Sequence, residues 1–61
     1  MKTYKYTNFD GREKALIVRE STEPNMYYIE IWNLSTGDFC GNGKKSLSDI
    51  ARFLANYGVK I

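Results

Sequence analysis

Side chains able to do covalent or acid–base chemistry are few in this 61-residue chain. There is no histidine, the commonest general base and metal ligand, and a single cysteine, Cys40, cannot build a thiolate zinc site. The carboxylates Asp10, Glu13, Glu20, Glu23, Glu30, Asp38 and Asp49 fall among turns, strand edges and a helix start. Nothing in their spacing predicts a pair poised for proton transfer. Gly41-Asn42-Gly43 has the look of a phosphate-cradling loop but lacks the strand–loop–helix spacing of a nucleotide site. The expectation is a protein that is not an enzyme and that holds neither cofactor nor metal. What remains is binding chemistry: Tyr28 and Trp32 as flat contact groups, Asn42 as an amide, and Arg19, Lys44 and Lys45 as cations.

Those residues need a sheet to align them. Met26–Leu34 is dense in aromatic and β-branched residues, closes on Ser35-Thr36-Gly37-Asp38 and returns through Phe39 to about Lys44, which reads as a β-hairpin. Upstream, residues 3–9 alternate loosely around Tyr4 and Tyr6 before Asp10-Gly11, a strong hairpin signal, and Glu13–Arg19 forms the returning strand. If Asp10 and Gly11 are the whole loop, Phe9 faces Arg12, Tyr6 faces Ala15 and Tyr4 faces Ile17, so Tyr4, Tyr6, Ala15 and Ile17 share a face. Glu20–Asn25, with Pro24, is a breaker loop between the two hairpins.

One helix is expected, Ser46–Gly58. Ser46 or Ser48 caps its start, Asp49 suits the positive end of its dipole and Gly58 fits a left-handed stop. Leu47, Ile50, Phe53, Leu54 and Tyr57 fall on one stripe that must pack on the sheet. A one-residue bulge at Gly37 pairs Asn33 with Phe39, Ile31 with Gly41 and Ile29 with Gly43. Glycines opposite two isoleucines let a helix approach closely, which makes that face its floor. The other face then holds Tyr28, Glu30, Trp32, Cys40, Asn42 and Lys44. The fold class expected is α+β: an antiparallel meander of three to four strands with one C-terminal helix on one face, residues 1–61 forming a single domain.

At this length a chain buries only about 60% of its unfolded surface. The apolar share of 43% is nevertheless enough for a packed core and argues against disorder. A net charge of +2 neither demands nor excludes nucleic acid. One cysteine allows no internal disulfide, and no run is apolar enough for a signal peptide or a membrane span, so a cytoplasmic protein without membrane association is expected. Starting at Met1 without tag or linker, the chain reads as a complete small gene product or as a trimmed domain.

The run Tyr27-Tyr28, a strand, Ser35-Thr36-Gly37-Asp38-Phe39, Gly41-Asn42-Gly43-Lys44-Lys45 and a helix, roughly residues 26–55, resembles the arm-binding amino-terminal domain of phage and transposon tyrosine recombinases. Those domains are similar in shape to the plant ethylene-response-factor DNA-binding domain. The resemblance implies a three-stranded sheet laid in the major groove with a helix behind it, although family members carry more Arg and Lys on the sheet face and a catalytic domain absent here.

Three partners follow. A nucleic acid would meet Trp32 and Tyr28 at bases or sugars, Asn42 at a base edge, and Lys44, Lys45 and Arg19 at phosphates. A host protein, bound or inhibited by a small phage- or mobile-element-encoded module, would use the same aromatic surface. A second copy would pair through an exposed edge or the aromatic face to give a homodimer.

Overall fold

A computed structural model describes residues 1–61. Four strands, β1 (Lys2–Thr7), β2 (Glu13–Glu20), β3 (Met26–Asn33) and β4 (Asp38–Ser46), precede one helix, α1 (Leu47–Ala55). The sheet is antiparallel throughout, in the order β1-β2-β3-β4. This is the expected α+β meander with a C-terminal helix on one face. No helix is long and apolar enough to cross a membrane.

The first hairpin departs from the two-residue loop. Phe9, Asp10 and Gly11 form a three-residue loop closed by Asn8 N–H donating to Arg12 C=O (2.7 Å) and Gly11 N–H to Asn8 C=O (2.9 Å). Gly11 takes φ +85°, and Asp10 accepts the Arg12 N–H at 3.0 Å. A type I turn followed by a left-handed glycine is the standard three-residue solution, and it moves the register by one. Tyr6 therefore pairs with Lys14 and Tyr4 with Leu16, not with Ala15 and Ile17. One residue of slip exchanges the faces of β2. Leu16 turns inward at 1% exposure, whereas Ala15 and Ile17 join the opposite face.

The second hairpin is also re-registered at its tip. Leu34–Gly37 form the loop, Asn33 pairs with Asp38 and Trp32 with Phe39, while the expected pairs Ile31–Gly41 and Ile29–Gly43 are present. The irregularity lies opposite the step from Ile31 to Trp32, not at Gly37. Cys40 is thus the surplus residue, beside Gly41 at φ +152°. Its position carries Phe39 onto the Trp32 face and turns Cys40 toward Lys14, whose Nζ lies 3.5 Å from Sγ. Cys40 therefore leaves the face on which a bulge at Gly37 would have put it.

Ser46 caps α1, accepting the Asp49 N–H at 3.2 Å. The helix closes where Gly58, at φ +76°, donates to Ala55 C=O and Val59 N–H donates to Leu54 C=O (2.9 Å), a Schellman pattern. Val59 then packs against the core, so the last residues add no strand. Buried Ile50 and Leu54 meet Tyr6 and Leu16, with Ile29, Ile31, Phe53 and Tyr57 around them. Tyr6 is edge-on to Phe53 (5.4 Å, 89°), and Tyr57 stacks on Phe9 of the first loop (4.7 Å). Leu47, first of the expected stripe, is half-exposed. The helix lies on the expected face, the one carrying Ile29 and Ile31, with its buried side chains reaching Tyr6 of β1 and Leu16 of β2, while the space directly over the two glycines stays open. A Cβ built on Gly41 or Gly43 would meet nothing within 4 Å.

Candidate open-face interface

Strand alternation places Arg19, Tyr28, Glu30, Trp32, Asn42 and Lys44 on the face away from α1, because their neighbours Val18, Ile29, Ile31 and Gly43 lie on the helix side. Five of the six residues expected to bind thus share one surface. Lys45 is the exception, since it follows Lys44 in β4 and points to the helix side, beside Ile50 and Phe53.

The centre of the open face is Glu30. It sits two residues from both Tyr28 and Trp32 on one strand, so all three side chains project together. Tyr28 O–H donates to Glu30 Oε2 and Trp32 Nε1–H to Glu30 Oε1, each at 3.2 Å. Arg19, cross-strand partner of Tyr28, brings its guanidinium within 3.8 Å of the same carboxylate. Asn42, directly across from Glu30, donates to the Tyr28 oxygen at 3.0 Å. A carboxylate accepts only, so flanking it with a phenol, an indole and a guanidinium satisfies every partner. The side chain of Glu30 is only 18% exposed.

This network fixes the aromatic groups. Trp32 is half-buried, is tied at its N–H and meets Phe39 edge-on at 5.2 Å and 70°. Ala15, between Lys5 and Trp32 across the sheet, is 4% exposed although α1 lies on the other side. Such burial beneath an open face requires large side chains lying over it. Phe39 is half-exposed at the rim. At the opposite end Lys44 is bound to Glu23 at 2.8 Å. The open face carries Lys5, Arg19 and Lys44 against Glu13, Glu23 and Glu30, with no excess of either sign.

Phe39 and the hub role of Glu30 escaped the sequence reading. The first depended on where the bulge falls. The second was legible in the spacing, an acceptor flanked at two residues on either side by donors. No group of three or more His, Cys, Asp or Glu side chains is placed to hold a metal ion.

On the helix side lies a concavity of about 340 Å³, bounded by Leu16, Ile29 and Ile31 below and by Ile50 and Phe53 of α1. Polar groups of Lys45, Asp49, Arg52 and Asn56 line it further. It reaches β4, one of the two outer strands of the sheet, at Lys45.

No protein-family model, curated protein sequence or solved structure matches this chain.

Proposed function

We propose that this chain is a non-enzymatic protein-binding module whose interface is the open sheet face, anchored by Trp32, Phe39 and Tyr28. The observation that carries the reading is the Glu30 carboxylate at the centre of that face, holding the donors of Tyr28, Trp32 and Arg19. Rigid aromatic groups with satisfied polar handles are suited to act as interface anchors, because little side-chain entropy is left to lose on binding. A polyanion meets the reverse situation. Arg19 and Lys44 are already paired with carboxylates, and a phosphate or base edge laid over Trp32 would approach Glu30 directly.

The row of half-buried Tyr28 and Trp32 beside half-exposed Phe39 also supports a second reading, stacking on single-stranded nucleic acid. One experiment separates the two. Purified protein is titrated into labelled single-stranded and duplex DNA at about 50 and 200 mM salt, with anisotropy and Trp32 emission followed together. In parallel, wild-type and Trp32→Ala proteins are used as bait in a lysate of the cell that expresses the chain. The protein-binding reading expects no DNA binding at either salt and a captured protein that Trp32→Ala loses while remaining folded. DNA binding that weakens steeply with salt would replace it with the nucleic-acid reading.

A further inference from the structure

The groove between α1 and the β3–β4 hairpin is the other surface on which the molecule is unfinished. Its floor is apolar, formed by Ile29 and Ile31, and its wall is Ile50 and Phe53. Two features open it toward the sheet edge. Gly41 and Gly43 occupy alternate positions of β4 on the helix side, and the space over both is empty. Beyond them the outer edge of β4 has no strand against it, and no backbone hydrogen bond outside the sheet and helix reaches residues 38–46. An edge strand beside vacant side-chain space is the arrangement used for strand addition. There, main-chain hydrogen bonds supply affinity and pockets for alternate side chains supply specificity.

Charge selects the occupant. Lys45 projects on the helix side at the same end of the groove and makes no ion pair. Arg52 reaches the one lining carboxylate, Asp49, only at 3.9 Å between exposed groups. The groove therefore presents cations to whatever enters. A second copy offering its own β4 would bring Lys44 and Lys45 against Asp38 alone, a strand of the wrong sign. We infer that the β4 edge and this groove bind an extended, acidic peptide segment of another protein, its alternate apolar side chains entering over Gly41 and Gly43 and a carboxylate meeting Lys45.

The inference does not depend on the open face and can fail separately from it. Gly43 is the useful position to perturb. Its φ is not in the left-handed region and nothing occupies its Cβ direction, so Gly43→Val fills the groove and leaves the protein folded. Random octapeptides displayed on phage are selected on wild-type protein, with counter-selection on Gly43→Val. Selected peptides are then synthesised and titrated into ¹⁵N-labelled protein.

The expected result is enrichment of alternating apolar residues with Asp or Glu, and amide shifts at Gly41, Gly43 and Phe53. Affinity should fall at least tenfold for Lys45→Glu and be unchanged for Trp32→Ala. Selection without acidic enrichment, no peptide that depends on Gly43, or shifts centred on the Trp32 indole would overturn the inference. Concentration-dependent shifts of the β4 amides without peptide would overturn it in favour of a second copy.

Discussion

Replacing Gly43 with valine should raise the stability of this protein, against the usual cost of changing a glycine. Gly43 lies within β4 opposite Ile29, takes no positive φ and has nothing within 4 Å of the position its Cβ would occupy. Adding a side chain there removes unfolded-chain entropy and supplies a β-branched residue, together about 1 kcal/mol. A Val–Ile cross-strand pair contributes roughly 0.2–1 kcal/mol more. The sum, about 1–2 kcal/mol, corresponds to a rise in Tm of order 5–15 °C in a domain of this size.

The control is two residues away. Gly41 has equally empty surroundings but φ +152°, so Gly41→Val carries backbone strain of order 1–3 kcal/mol and should be destabilised. Urea and thermal denaturation, followed by circular dichroism, read both variants. A Gly43→Val protein that melts below wild type, with Gly41→Val unchanged, would mean that the space over Gly43 is filled in solution. The groove would then not exist as described.

Three further outcomes are expected. Leu54→Ala, at a fully buried position against Leu16 and Tyr6, should cost about 2–5 kcal/mol in urea denaturation, much of the stability of so small a domain. Glu30→Ala should destabilise more than Arg19→Ala, because it strands the part-buried donors of Tyr28 and Trp32, about 1–3 kcal/mol at most, whereas the 3.8 Å ion pair is worth under about 1 kcal/mol. Equal effects would remove Glu30 from its central role.

The third concerns alkaline pH. Burial pushes the Tyr6 hydroxyl above its ordinary value of 10.0, with Tyr57 and Cys40 adding to the effect. The folded state keeps that proton while the unfolded state begins to release it near pH 10, so the contribution is complete below that pH and is lost as pH rises through the folded value. Tyr6→Phe should lose less stability than wild type between about pH 9.5 and 11. Parallel losses would place the alkaline sensitivity elsewhere.

Local signals in the sequence were strong wherever one residue type settles a conformation. Gly58 marked the helix stop, Ser46 or Ser48 its start, and the aromatic run Met26–Leu34 a strand; the structure stops the helix turn at Gly58, caps it with Ser46 and ends the strand at Asn33. Register was legible only in part, because it depends on competition between turns. Asp10-Gly11 fits a two-residue loop and a three-residue loop equally well as a string. The three-residue loop is the one that turns the larger Leu16, rather than Ala15, toward Ile50 and Leu54 of the helix. In the second hairpin the turn takes Leu34–Gly37, which moves the bulge to Cys40 and exchanges the faces of Phe39 and Cys40. Tyr28, Trp32, Asn42 and Lys44 share the open face as expected because β3 and the glycine pairs were registered correctly, and the β2–β3 register adds Arg19 opposite Tyr28. Lys45 did not join them, since adjacent residues of a strand cannot share a face.

The meander carries a consequence for how the protein is made. Every strand pairs with its predecessor, so the sheet is assembled from short-range closures and should form quickly. Two of the four residues of the buried cluster, Ile50 and Leu54, nevertheless arrive on the last element. Before α1 docks, Leu16, Ile29 and Ile31 face water on a sheet with two unprotected edges. A chain whose sheet has formed without the helix is therefore the aggregation-prone species, and docking of α1 is the step that converts it into the native fold.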